Sequence, residues 1–377
     1  MKLISIEPTP SPNTMKLNMD ERVERGRTYD ASNKDRAPQY IQALLNIPGV
    51  KSVFQTADFI ALDRHPKGDW KQILAEAGKI LGAEGSVVPE GEPDQSGFEE
   101  ARVYVQTFRG IPMQIRVKTE WREVRESLPE RFVKAAMEAG MASPNLIKER
   151  RLEDRGVRYG ELEQIAKEVS QELEAAYSDE RLQSLVENSK RMKPDEDPVV
   201  SWKHPTREEA LEALDSGDWR VRYRAMEQLK PSEDMLDVLE KALQDDHVSV
   251  RRLAAVWLGE VKGEKALELL CRAMSDPSPV VRRTAGDTLS DLGDPAAADT
   301  MIRALGDSNK LVRWRAARFL YDFGDERALD ALRKAAEDPE FEVALQARMA
   351  LERIEGGREA EGTVWQQMTK AQNRNRS

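Results

Sequence analysis

The dipeptide Val-Arg recurs at Val221-Arg222, Val250-Arg251, Val281-Arg282 and Val312-Arg313, with Val343-Ala344 as a fifth member, at intervals of 29, 31, 31 and 31 residues. Four residues after each valine stands an alanine (Ala225, Ala254, Ala285, Ala316, Ala347), and eight after it a leucine (Leu229, Leu258, Leu289, Leu320, Leu351). Offsets of four and eight lie on one face of an α-helix. A second set precedes each valine: Leu239, Leu270, Met301 and Leu332 eleven residues before it, and Leu214, Leu243, Met274, Leu305 and Ala336 seven before it. Each unit therefore reads as two amphipathic helices, which the small alanine column lets approach closely. One pair cannot bury its apolar face alone, so five pairs over residues 205–356 predict a curved all-helical solenoid that folds without help from upstream segments.

Punctuation agrees with that division. An aspartate stands five residues before the valine in four units, Asp245, Asp276, Asp307 and Asp338, where the chain must turn between the two helices. Asp294-Pro295 places a capping carboxylate before a proline at a first helical position, and Gly293 and Gly324 are expected to end helices in the left-handed conformation. The arginine after each valine admits two readings. As a structural ladder, each guanidinium pairs with an inter-helix aspartate of a neighbouring repeat. As a docking stripe, Trp219, Arg222, Arg251, Arg282, Arg313 and Trp314 meet a partner. The ladder is the better reading, and Arg282 is expected to pair with Asp276 or Asp307. Cys271, beside Leu270, reads as a small core residue.

The residues that would carry chemistry are scarce. A single cysteine forbids an intrachain disulfide and any cysteine-clustered metal or iron-sulfur site built from this chain alone. The three histidines, His65, His204 and His247, show no metal-ligand spacing and are expected at the surface. GxxxxGK[ST], GxGxxG and GxSxG are absent, so no cofactor is expected. No stretch approaches a membrane span, and the opening Met1–Ile6 run is too short for a secretory core, which leads to the expectation of a cytoplasmic protein. The formal charge of −10 weakens general affinity for nucleic acid.

Upstream of the repeats the pattern changes. Residues 1–83 alternate strand and helix signals, with Lys2–Ile6, Met15–Met19, and a hairpin of Gly49–Phe54 and Phe59–Leu62 across Ala57-Asp58 giving four strands. Helices are expected from Pro38 to Leu45 and Trp70 to Leu81, which makes a small α/β domain. Residues 85–98 are a turn-rich acidic linker. An α+β middle domain, residues 98–190, opens with a hairpin in which Val103 and Val105 alternate with Tyr104 and Gln106, Arg109-Gly110 turns the chain, and Ile111 to Val117 returns. Helices are expected to follow over 121–139, 146–152 and 161–176. Arg150, Arg151, Arg155 and Arg158 near Tyr159 are this domain's best candidates for a ligand or phosphate contact. Residues 190–205 read as a hinge, and in the tail, 357–377, Trp365 and Met368 are placed to cap the last repeat.

Three resemblances attach to these residues. The five-fold Val-Arg, alanine and leucine pattern resembles the short HEAT-like repeats associated with bilin lyases, a group that also holds scaffolds and a di-iron hydroxylase whose His-Glu pairs have no counterpart here. The run Glu7-Pro8-Thr9-Pro10-Ser11-Pro12-Asn13-Thr14-Met15-Lys16, the Ile47-Pro48-Gly49-Val50 turn and Phe59-Ile60 resemble the N-terminal domain of Nfu-type iron-sulfur scaffolds, without the Cys-x-x-Cys by which those proteins hold their cluster. The combination resembles the conserved virulence factor C family of Gram-positive bacteria. That resemblance implies a cytoplasmic protein with a regulatory or adaptor effect: a non-enzymatic scaffold binding protein partners, among them those of the iron-sulfur machinery, through the solenoid and the Nfu-like domain. The alternatives are a nucleic-acid-binding repeat protein and an enzyme with a groove in the middle domain near Arg155 and Tyr159.

Overall fold

The computed structural model describes residues 2–9, 11, 13–65, 68–82, 100–119, 122–141, 143, 145, 147–192 and 204–356. The linker at 85–98, most of the hinge at 190–205 and the cap expected of Trp365 and Met368 lie outside the described residues. The chain divides into two compact units, residues 1–98 with 289–377, and residues 99–288.

In the first unit, strands β1 (Leu3–Pro8), β2 (Thr14–Tyr29) and β3 (Val50–Arg64) form an antiparallel sheet in that order. Helices α1 (Gln39–Leu45) and α2 (Trp70–Ile80) supply Ile41, Leu44, Ile73 and Leu74 to a core shared with Leu17, Val53, Ile60 and Leu62. The hairpin expected across Ala57-Asp58 does not form, and among the described residues the domain has three strands rather than four. Its two apolar runs are one strand that passes through Ala57 at φ 45°. β2 runs on past Met19 to Tyr29 and, with two register shifts, pairs with both runs. A sequence-level alternation cannot distinguish a kinked long strand from two short ones.

The second unit contains the middle domain. Strands β4 (Glu100–Phe108) and β5 (Ile111–Lys118) form the expected hairpin. Arg109 and Gly110 both have positive φ, 48° and 81°, as a two-residue turn between twisted strands requires. Two expectations fail here. Residues 121–139 are not one helix: β6 (Glu123–Ser127) precedes α3 (Glu130–Gly140), and Pro129, extended at the N-cap, separates them. Nor is 146–152 helical, since β7 (Arg150–Tyr159) begins there as an edge strand. Helices α4 (Leu162–Ala176) and α5 (Asp179–Arg191) complete the domain. The sheet order is β6-β5-β4-β7, antiparallel throughout, with α3 and α4 packed on β5.

The repeats are helix pairs as the spacing predicts: α6 (Arg207–Ala213) with α7 (Trp219–Glu227), α8 (Leu236–Ala242) with α9 (Val248–Val261), α10 (Gly263–Ala273) with α11 (Pro279–Leu292), α12 (Ala298–Ala304) with α13 (Lys310–Phe323), and α14 (Leu329–Ala335) with α15 (Phe341–Glu355). Val250, Val281, Val312 and Val343 are fully buried, whereas Val221, in the first repeat with no repeat before it, is 37% exposed. Asp294 caps as expected, accepting from the Ala296 N–H at 2.9 Å. Gly293 is left-handed at φ 64°. Gly324 is not left-handed but extended, and glycine is required there because a Cβ would meet the Leu320 carbonyl oxygen at 2.4 Å. Cys271 is half-buried rather than a core residue. Leu289 is fully buried, so Leu289→Ala is expected to cost about 2 to 5 kcal/mol in chemical denaturation.

Candidate functional site

Three arginines of the column, Arg222, Arg251 and Arg313, pair with the expected aspartate of the next repeat. The Arg222 guanidinium donates to Asp245 at 2.7 and 2.9 Å, Arg251 to Asp276 at 2.8 and 3.2 Å, and Arg313 to Asp338 at 2.7 and 3.0 Å. Each also donates to a carbonyl six residues back in its own inter-helix turn: Ser216, Asp245 and Asp307 respectively, at 2.8 to 2.9 Å. Arg282 does the same to the Asp276 carbonyl at 2.8 Å. Each aspartate in turn accepts the backbone N–H two residues on, as Asp338 does from Glu340 at 2.9 Å. One residue therefore fixes its own turn and grips the next repeat. Burial works to raise the Asp245 pKa, but Arg222 and the His247 N–H hold it below the usual carboxylate value. Arg313→Ala is expected to cost about 1 to 3 kcal/mol, and Arg313→Ala with Asp338→Ala less than the two singles combined, in a double-mutant cycle by urea denaturation.

The aromatic members of the expected stripe part company. Trp219 is half-exposed and stacks face to face on His247 with ring centroids 3.7 Å apart, while the His247 Nδ1 caps α9 by accepting from the Ser249 N–H. Trp314 is only 2% exposed and packs with Val343 and Leu311, so it is an interior residue and not a surface aromatic. A bulky indole beside two arginines reads as surface until its neighbours are known.

The second helices carry another column, two residues after each valine: Tyr223, Arg252, Arg283, Trp314 and Leu345. In the unit of residues 99–288 this column meets the middle domain. Glu172 of α4, 6% exposed at its side chain, accepts from Arg158 at 2.5 and 3.2 Å and from Arg252 at 3.5 Å. Burial alone would raise the Glu172 pKa, but the two guanidinium groups outweigh it and bring it down to about 2. Arg283 stacks over the Tyr159 ring at 4.4 Å and donates to its hydroxyl at 2.8 Å, and that hydroxyl donates to Glu100 at 3.2 Å. Arg158 and Tyr159 are thus members of an ionic seam between the middle domain and the second helices of the repeats. In the other unit Leu345 of the same column, with Phe341 and Met349, belongs to the core of the N-terminal domain. Arg64 donates to Glu342 at 2.7 Å, and the buried Arg318 donates to the Thr9 carbonyl at 3.2 Å.

Among the described residues the middle sheet has one face covered by helices and one left open. Val103, Val105, Ile115 and Val117 are fully buried under the helices, and the residues between them face outward. Strand register sets these in rows: Arg125, Arg116, Tyr104 and Asp154 form one, and Glu123, Lys118, Arg102 and Val157 the next. Gln114, Gln106 and Leu152 follow in a third. The alternation along β4 signals this face, but reading β6 and the start of β7 as helices hides its extent.

Among the described residues no group of three or more His, Cys, Asp or Glu is placed to hold a metal, and no helix is long and apolar enough to cross a membrane.

These features define a multidomain HEAT-repeat protein whose repeats carry two small β-containing domains. Family models match accordingly: the Nfu/NifU scaffold N terminus at residues 4–85, the virulence factor model at 106–186, and HEAT repeats at 207–277 and 268–352. The chain is 53% identical to the Bacillus subtilis protein YpgR over 98% of this chain and 99% of that one. It is 44% identical to conserved virulence factor C of Staphylococcus haemolyticus over the whole of both. The chain belongs to the conserved virulence factor C family. Among solved structures, protein SAV1430 of Staphylococcus aureus is 36% identical, covering 21% of this chain and 98% of that one with a TM-score of 0.20.

Proposed function

We propose that this protein is a non-enzymatic scaffold that binds other proteins, with the repeats acting as the mount for its own two domains. The observation that carries this reading is the use made of the second-helix column. Tyr223, Arg252, Arg283 and Leu345 are all spent on packing against the chain's own domains. Partners therefore meet surfaces the mounted domains leave outward. Among the described residues, six of the nine large apolar side chains left exposed lie in the middle domain: Val133, Met137, Met141, Ile147, Leu152 and Val157. Exposed apolar area of this kind supports protein partners. Within this reading Arg222, Arg251, Arg282 and Arg313 hold the repeat turns in register, and Trp219 at the edge of the first repeat is the one of the six stripe residues offered to a partner. The Nfu-type N-terminal domain puts proteins that build or receive iron-sulfur clusters first among candidate partners, and the charge of −10 favours protein over nucleic acid.

The test is affinity capture with the tagged full chain from the cytoplasm of a Gram-positive bacterium, followed by crosslinking of the retained complex. A partner retained in fixed stoichiometry, with crosslinks to the middle or N-terminal domain, is the expected result. Retention of no protein, or crosslinks confined to the second-helix column, would overturn the reading.

A further inference from the structure

We propose that the open face of the middle sheet is the docking site for a short, extended, acidic segment of a partner protein, an inference that rests on the scaffold reading above. Arg116 on β5 lies directly opposite Arg125 on β6 and directly opposite Tyr104 on β4. Like charges opposed across antiparallel strands repel. Glu123 already accepts from Arg125 at 2.6 Å, so the positive charge left for a partner's carboxylate is centred on Arg116. The Arg116 Nε is buried without a hydrogen-bond partner among the described residues.

Over these three rows basic side chains outnumber acidic ones, and Glu100, one row further along β4, accepts from the Tyr159 hydroxyl. Arg102, Arg116, Lys118 and Arg125 stand against two acids, Glu123 and Asp154, and each acid is already engaged, Glu123 by Arg125 at 2.6 Å and Asp154 by Arg102 at 3.4 Å. This surplus of positive charge sits on a chain whose total is −10. Along β7 the face ends in apolar side chains, Leu152 at 49% and Val157 at 41% exposed. Four strands and three rows cover about 14 Å in each direction. That accepts four or five residues of extended chain, with carboxylates over the arginines and an apolar side chain at Tyr104 or β7. A nucleic acid fits less well, because a single aromatic offers one stacking platform and the molecule as a whole repels a dense polyanion.

Fluorescence anisotropy on the full chain decides the matter. The probes are a fluorescein-labelled decapeptide alternating glutamate with leucine, its counterpart with lysine for glutamate, and a labelled ten-nucleotide oligothymidine. The glutamate peptide is expected to bind with a Kd of tens of micromolar at low salt, roughly fivefold weaker at 300 mM NaCl. Arg116→Glu should weaken it at least about tenfold and Leu152→Asp about threefold, with unchanged thermal transitions. Lys118→Glu replaces Arg116→Glu if that variant fails to fold. Preference for oligothymidine, equal binding of both peptides, no binding, or binding indifferent to the substitutions overturns the proposal. A native partner captured equally by wild type and by the face variants leaves the scaffold reading standing and removes this face from it.

Discussion

Glu172→Ala is expected to destabilise the unit of residues 99–288 by about 3 kcal/mol in urea denaturation, because it strands the largely covered Arg158 and Arg252 guanidinium groups without their shared carboxylate. Replacing Glu172 and Arg158 together by residues of similar volume should cost less than the two single changes combined. The same group makes stability depend on pH. Its folded pKa, about 2, lies below the ordinary 4.5, so its contribution is fully present above pH 4.5 and fades as the pH falls toward 2. That contribution is on the order of 3 kcal/mol. Glu172→Gln should therefore flatten the acid limb of a plot of Tm against pH. An unchanged limb would show that the seam carries no linkage.

Deletion of residues 1–82 is expected to lower the thermal transition of the last repeats or make them aggregate, because it uncovers Phe341, Leu345 and Met349 at once. These side chains are 5 to 8% exposed in the intact unit, and re-exposing them forfeits about 5 kcal/mol or more of burial. The repeat pattern alone suggests that the helices fold unaided, and the structure argues otherwise, since α15 supplies a face to a second core. Differential scanning calorimetry with dye binding reads the effect. A deletion variant that melts like the full chain without binding dye would restore an independent solenoid. Phe341→Ala in the intact protein should cost about 3 to 5 kcal/mol by itself.

The contrast between legible and illegible columns has a physical cause. Val250, Ala254 and Leu258 recur because the repeat beside them is the same kind of neighbour each time, so the same side chains solve the same packing problem again, and Val221, with no repeat before it, is the valine left exposed. Two residues after the valine the neighbour differs at every step. It is Glu172 for Arg252, Tyr159 for Arg283 and the N-terminal core for Leu345, and the column has no common residue type to betray it. The ladder was legible because arginine and aspartate recur with the repeat, whereas Trp314 was misplaced because its cover comes from Val343 and Leu311 in and beyond its own helix. β6 and β7 failed for another reason. Edge strands with one open face carry charge at most positions, and only Val124 of β6 is even half-buried. The open sheet face, and with it the juxtaposition of Arg116 and Arg125, can be assembled only after the strands are known.

The core of the N-terminal domain is completed by a helix near the other end of the chain, and this sets a schedule for synthesis. Residues 2–82 leave the ribosome first, yet Phe341, Leu345 and Met349 follow only about 260 residues later. At about 5 to 20 residues per second, that is a wait of roughly 13 to 50 seconds in which the newborn sheet and helices present an unfinished apolar face. A messenger truncated before α15 would release a product with that face permanently open, and a holding chaperone would find its binding site there.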